Sequence, residues 1–493
     1  MLSASSEMEK IKAQYLLGVV LSGGANLLGM GASLLTIMVA ARLLSQEELG
    51  SFFLLLLVAQ VTALFGDIGF QNTAIKTLSQ LPADSPEFIH TARYLLTMAI
   101  ATSLLACLCM GLTVPFLTSL WPSPNFVSHV GYIAPVALLT TGMQTVMSLL
   151  VGAKQFRVLS SLSVGIEILR ALFSMGGLFA GLGISSLLWG MIGSRIIGIG
   201  VIWCMLPLLF SIQLRHPRSA DFLKFGGWLY GCSLVSVIMV RTSDTILTTY
   251  MGTAALAVYS AAMQVPSVLQ RAFESIRPTL LGYITAQNTT YKNPQITLIR
   301  MMTALLAVAA TGLITLAQPL MTLLYSEKYE AGIMIMQALS VWVVFTIINY
   351  LYSIILIGNG QSKKAFILTL PQLCTIVIAS GVLVPRYQGF GAATALVLTA
   401  FLGNLIGARL VAGDNVSTRH LLTTGFLRAA VPLLLFLIAA ASLASSFALL
   451  CGCAGITLLL LMAFKAVTLE DCKVLRATLL GMGERMSALP SGA

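Results

Sequence analysis

Apolar runs of 18 or more residues recur along this chain from Leu16 to Phe464, separated by short breaks of Gly, Pro and charge. A run of about 20 apolar residues matches the hydrocarbon thickness of a bilayer. Inside lipid each backbone N–H and C=O must find its partner within its own segment, so every such run is expected to be a helix. The interruptions divide the chain into about fourteen transmembrane helices, near 15–42, 49–78, 90–114, 128–151, 158–181, 184–211, 222–250, 254–284, 296–324, 331–357, 364–384, 388–411, 421–443 and 446–467. Only Ser445 and Ser446 separate the last two. No connection is longer than about fifteen residues, which leaves no place for a soluble catalytic domain. The first run, from about Tyr15 to Leu44, is too long for the apolar region of a signal peptide, and it follows a polar lead-in with Glu7, Glu9, Lys10 and Lys12.

Composition agrees with this pattern. Hydrophobic residues make up 57% of the 493 positions and charged residues only 9%, against about 25% charged in soluble domains. The 42 glycines suit close helix packing in a membrane. Charge also fixes an expected orientation. The even-numbered loops and the two termini hold 20 Lys and Arg, while the odd loops hold only Arg42, Lys328 and Arg386. Short cytoplasmic loops retain such residues, so both termini are expected in the cytoplasm. The net charge of +11 then reflects topology and attraction to anionic lipid rather than nucleic-acid binding. Cys107, Cys109, Cys451 and Cys453 lie within apolar helices without metal-ligand spacing, and His90, His129, His216 and His420 stand singly, so neither metal nor cofactor is expected. No G-x-x-x-x-G-K-[ST] sequence is present, which removes ATP as a direct energy source.

The chain also repeats itself. The segment Arg42–Phe52 aligns with Thr249–Tyr259 at an offset of 207, Gly152–Arg157 with Gly358–Lys363 at 206, and Gly181–Ser186 with Gly389–Thr394 at 208. This suggests two six-helix lobes in parallel repeat, 15–211 and 222–411, followed by an additional helix pair at 421–467. A lead-in at 1–14 and a tail at 468–493 complete the expected domain plan. An even number of helices per lobe gives both lobes the same orientation, a plan in which substrate passes between lobes that rock about it.

Short patterns distributed over residues from about 20 to 412 carry a family resemblance. They include Ala41-Arg42-Leu43-Leu44, the turn Glu48-Leu49-Gly50-Ser51-Phe52, and Asp67-Ile68-Gly69. Further on come Arg241, Asp244, Ile246, Leu247, Gly252 and Tyr259. A last set comprises Pro319, Leu320, Leu323, Leu324, Tyr325, Tyr329 and Ala331, then Gly358, Gly360, Gln361, Lys363 and Lys364. In these the chain resembles the polysaccharide-transport branch (O-antigen and exopolysaccharide flippases) of the multidrug/oligosaccharidyl-lipid/polysaccharide exporter superfamily. The resemblance implies a flippase rather than an enzyme, moving a polyprenyl-diphosphate-linked oligosaccharide across the bacterial cytoplasmic membrane. Its implied partners are that substrate, membrane lipids and polysaccharide polymerase machinery.

Such cargo requires a polar cavity, cations for the diphosphate and a lateral path for the lipid tail. Cations within a membrane face a cavity or a partner, and five lie within these helices: Arg170, Arg195, Arg241, Arg271 and Arg277. Arginine suits phosphate because its planar fork gives paired, charge-assisted hydrogen bonds. Glu167 with Arg170, Arg241 with Asp244, and Glu274 with both Arg271 and Arg277 are spaced three apart, so mutual neutralisation is the competing reading. Arg195 has no acid within four residues. The candidate substrate ligands are therefore Arg195, Arg271, Arg277 and Arg241, and Asp67, Asp244 and Glu274 are candidate coupling or ion-pair carboxylates. Asn72, Gln144, Gln264 and Asn349 are candidate polar lining residues, and Ser45 with Glu48 reads as a capping box.

Two other classes compete with this reading. A cation-coupled multidrug and toxin extrusion antiporter shares the two-lobe plan but calls for a net-negative cavity. A polymerase or ligase acting on lipid-linked sugar calls for a large external loop, whereas the loop from Pro115 to Val127 is short and uncharged.

Overall fold

A computed structural model describes residues 28–82, 85–205, 211–213, 219–286, 293–358, 361–412 and 430–439, with single positions 24, 426, 427 and 457. The described residues are all helical or turn, without strands. In order, α1 (Leu28–Leu43) is followed by α2 (Gln46–Asp67), α3 (Phe70–Leu78), α4 (Pro86–Leu120) and α5 (Pro124–His129). Then come α6 (Ile133–Gly152), α7 (Phe156–Phe179), α8 (Ile184–Met205), α9 (Ser219–Ala286) and α10 (Asn293–Thr315). The series closes with α11 (Ala317–Tyr325), α12 (Gly332–Gly358), α13 (Ser362–Ala412) and α14 (Ala430–Ala439). Eight helices among the described residues are long and apolar enough to cross a membrane, or nine if the pair α10–α11, bent by 59°, counts as one span. This is a multi-pass membrane protein. Most of the expected final helix pair, together with the lead-in and tail, falls outside the described residues.

Two of these helices are too long for one crossing. α9 runs for 68 residues and α13 for 51, against about 20 for a span. Each is interrupted once, α9 at Gly252 (φ 81°) and α13 at Gln388 (φ 51°). α9 folds back at its break, because Asp244 and Tyr259 lie within electrostatic reach of each other although a straight helix would hold them about 22 Å apart. At the second break, a Cβ on Gly391 would stand 2.2 Å from the Leu383 carbonyl oxygen, so only glycine permits that approach. The breaks fall where the apolar pattern had separated 222–250 from 254–284 and 364–384 from 388–411.

Two expectations change. The single helix expected over 49–78 is divided at Ile68 (φ 43°) and Gly69 (φ 84°), both left-handed, and Asp67 then accepts a hydrogen bond from the Gln71 amide at 3.1 Å to start α3. The uncharged loop expected from Pro115 to Val127 is instead largely helical: α4 continues through Pro115 to Leu120, and α5 begins at Pro124. The capping box at the start of α2 is present, with Ser45 Oγ accepting from the Glu48 amide (3.2 Å) and Glu48 Oε2 accepting from the Ser45 amide (2.8 Å).

Burial separates inner from outer helices. In α12, 78% of the most apolar window is buried, against 22% in α4 and in α7. α12 is therefore enclosed by protein, and α4 and α7 turn much of their surface to lipid. The main core joins α2, α9, α10, α12 and α13. A second cluster packs Phe70, Leu78 and Leu95 with Met143, Leu150 and Ile166.

Candidate functional site

The interior charges are gathered by helix packing that small residues allow. α7 and α8 approach closely: a Cβ on Gly190 would stand 2.1 Å from Ser174 Oγ and 3.0 Å from the Arg170 carbonyl oxygen, and one on Gly177 would stand 2.6 Å from Ser186 Cβ. Small residues at such a seam are the usual means by which membrane helices meet. The seam sets Arg170 of α7 beside Arg195 of α8, each within the other's electrostatic field. Glu167, one turn before Arg170, forms an ion pair with the Arg170 Nη2. Its charge also reaches Arg195 and, from the far arm of α9, Arg271. Arg271 in turn lies within the fields of Arg170, Glu274 and Arg241.

Glu167, Arg170, Arg195 and Arg271 thus form one cluster in which the Glu167 charge reaches the arginines of three helix segments, with Glu274 reaching Arg271 as well. Arg170 Nε and Arg195 Nη1 are buried without a hydrogen-bond partner among the described residues. A buried donor left unpaired is destabilising by roughly 1–3 kcal/mol, more for a charged group. These two therefore mark a site whose own residues do not satisfy it.

The other candidates are disposed around this cluster. Arg241 donates to Asp244 at 2.7 Å and also to Gln60 of α2. Asp244 is nearly inaccessible, at 5% side-chain exposure, and its second oxygen has no partner among the described residues. Glu274 accepts from Gln270 at 3.0 Å, and Gln270 also reaches the Tyr350 hydroxyl at 3.5 Å. Asp67 is engaged with the Gln71 backbone at the break between α2 and α3, and its charge reaches Tyr230. Gln144 is drawn there too, accepting from Gln71 at 3.2 Å. The side chains of Arg277 and Asn72 lie outside the described residues. Sequence reasoning passed over Arg170 as a ligand, because its three-residue spacing from Glu167 read as a closed pair. It also missed Gln60, which no local pattern distinguishes. Among the described residues no group of three or more His, Cys, Asp or Glu is placed to hold a metal.

At one end of the bundle, hydrogen bonds join distant parts of the chain. Arg42 at the end of α1 donates to the Leu323 carbonyl in the last turn of α11, where a cation complements the helix dipole. Gln46 donates to the Lys328 carbonyl at 2.5 Å, and Trp121 Nε1 donates to Thr249 Oγ1 at 3.1 Å. The two segments that align at an offset of 207 meet at this end, α2 resting against the α9 break at Gly252.

Comparison with known proteins completes the description. The succinoglycan biosynthesis transport protein ExoT of Rhizobium meliloti (strain 1021) is 24% identical over 304 residues. That match covers 61% of this chain and 60% of the relative's length. The lipid II flippase MurJ in an inward closed conformation superposes with a TM-score of 0.69 at 16% identity, covering 93% of this chain and 99% of that one. A Vibrio cholerae MATE transporter, VcmN, gives a TM-score of 0.56 at 15% identity over 83% of this chain and 99% of its own. The fold is therefore the one shared by MurJ and the MATE transporters. Residues 39–334 match the family described as polysaccharide biosynthesis protein, and with more than half of its length inside that match, the chain belongs to the polysaccharide biosynthesis protein family.

Proposed function

We propose that this protein is a flippase that moves a polyprenyl-diphosphate-linked oligosaccharide across the cytoplasmic membrane for cell-surface polysaccharide synthesis. The observation that carries the reading is the arginine cluster of Arg170, Arg195 and Arg271, with two buried donor nitrogens that no group among the described residues satisfies. An anionic headgroup is the ligand that such a site fits: phosphate oxygens supply acceptors to the open guanidinium edges and offset the surplus positive charge. Arg241, whose charge reaches Arg271, extends the same basic lining. The excess of positive charge disfavours export of cationic drugs, which calls for acidic lining.

Transport proceeds by alternating access between the lobes 15–211 and 222–411, with the termini in the cytoplasm. The contacts from Arg42, Gln46 and Trp121 to the second lobe form the closed external gate in this arrangement. Cytoplasmic loading of the lipid-linked sugar, external release and onward transfer to a polymerase then describe one cycle. The family match and the succinoglycan transport relative support exopolysaccharide as the product, with O-antigen or lipopolysaccharide the other members of that class.

The test is flipping of a fluorescent undecaprenyl-diphosphate oligosaccharide in proteoliposomes by the native chain, Arg195→Ala and Arg271→Ala. Flipping by the native chain and loss in both folded variants is expected. A native chain that ignores the lipid but exchanges small organic cations for protons would overturn the reading in favour of drug export.

A further inference from the structure

We propose that Glu167 is an internal counter-anion of the arginine site: it holds Arg170 while the site is empty and is displaced when an anionic headgroup binds. This rests on the anionic-cargo reading above and adds the residue that controls access to the site. Among the described residues, Glu167 pairs with Arg170 and its charge also reaches both Arg195 and Arg271. It does not saturate them. It takes Nη2 of Arg170 and leaves Nε of the same guanidinium buried and unpaired, as it leaves Nη1 of Arg195.

The geometry of the guanidinium makes this occupancy competitive. Nε and Nη2 form one edge of the planar fork, and a phosphate binding to that edge uses both. Glu167 holds half of it, so a headgroup cannot take the full edge until the carboxylate leaves. The carboxylate is free to do so. Its side chain is 37% exposed against 20% for Arg170, and both sit one turn apart on α7, so a rotamer change suffices without moving the helix. Glu167 also lies at the contact with α1, where a Cβ on Gly29 would stand 3.1 Å from its Cγ. Displacement of Glu167 therefore changes a contact between helices as well as a charge, and it links cargo arrival to the position of α1.

The role makes a particular demand on transport. A counter-anion that returns after release lowers affinity for cargo and speeds its departure, because binding must displace an existing partner. Removing its charge raises affinity and slows turnover.

The experiment measures inorganic pyrophosphate binding by titration calorimetry to the purified full chain, native and with Glu167→Gln, Glu167→Asp and Arg195→Ala, and flipping by the same proteins. Thermal melts and size-exclusion profiles establish that each is folded. Glu167→Gln should bind pyrophosphate about ten-fold or more tightly than the native chain, with slower flipping. Glu167→Asp, whose shorter carboxylate withdraws from Nη2, should tighten binding by a smaller factor, which keeps the test alive if the glutamine variant does not fold. Arg195→Ala should abolish binding. If the native chain binds pyrophosphate and both Glu167 variants bind it equally or more weakly, Glu167 is a fixed partner of Arg170 and this inference fails alone. If no protein binds it, the arginine cluster is not an anion site and the functional reading falls too.

Discussion

Gly50 of α2 lies directly against Thr253 of α9: a Cβ added to Gly50 would stand 1.8 Å from the Thr253 carbonyl oxygen and 2.5 Å from its carbon. The obstacle is backbone at the Gly252 break, which no side-chain rotation can relieve. The glycine of the Glu48-Leu49-Gly50 turn is therefore what lets α2 seat against the α9 break. Gly50→Ala should push α2 off that break and open this end. A cysteine at Ser51, which is buried and bonded to Ser123 at 3.1 Å, should then react faster with a membrane-impermeant thiol reagent, in a background cleared of other cysteines. Unchanged reactivity and native flipping would show that the seam tolerates a side chain.

Arg241 and Asp244 make a pair in which one member depends on the other. The Asp244 side chain is 5% exposed, and Arg241 is its charged hydrogen-bond partner among the described residues. Removing one side of a buried pair costs about 3–5 kcal/mol, because the remaining charge is left uncompensated. Arg241→Ala should lower the thermal midpoint of the detergent-solubilised protein, and Arg241→Ala with Asp244→Ala should recover most of the loss. A double variant no more stable than the single would show that Arg241 acts through Gln60 instead.

How far the sequence reaches can be seen in these residues. Among the described residues, hydropathy separated the helices even where two run together, because Gly252 and the Gln388–Gly391 turn interrupt apolar runs in a readable way. It misjudged Asp67-Ile68-Gly69 and Pro115. A left-handed turn inside a continuous apolar segment leaves no hydropathy signal, and proline within a membrane helix is tolerated because neighbours can satisfy the freed carbonyl. Of the single arginines in apolar runs, Arg170, Arg195 and Arg271 are the ones that packing gathers. The meeting of Arg195 with Arg170 depends on the α7–α8 seam at Gly177 and Gly190, and that of Arg271 with Glu167 on the folding back of α9. Both are tertiary relations that local spacing does not encode.

Asp67 separates a structural from a coupling role. Its carboxylate accepts from the Gln71 amide at 3.1 Å, the bond that begins α3 after the left-handed turn. Asparagine offers the same acceptor without the charge, and alanine offers none. Asp67→Asn should keep native stability and flipping, while Asp67→Ala should lose about 1 kcal/mol of stability. If Asp67→Asn is stable but does not flip, the charge itself is needed and Asp67 is a coupling carboxylate.

Arg42 and Gln46 clamp the α1–α2 turn to the end of α11 and the short turn after it through two side-chain donors, on Leu323 O and Lys328 O. Both acceptors are backbone carbonyls, so the clamp depends on where the two segments sit and not on acceptor side-chain identity. A hydrogen bond from a charged donor contributes about 1.5–3 kcal/mol, and one from a neutral amide about 0.5–1.5 kcal/mol. Both bonds are exposed, so together they hold the two segments in contact by at most about 4.5 kcal/mol. Arg42→Ala with Gln46→Ala should therefore raise amide hydrogen exchange in the peptides covering residues 42–53 and 319–330 together, since each segment loses the partner that holds the other. Arg42→Lys should give a partial effect, because an ammonium can still donate to Leu323 O but without the reach and planarity of the guanidinium. Increased exchange in one segment alone would mean that each is held by its own packing and that the two bonds are incidental to closure.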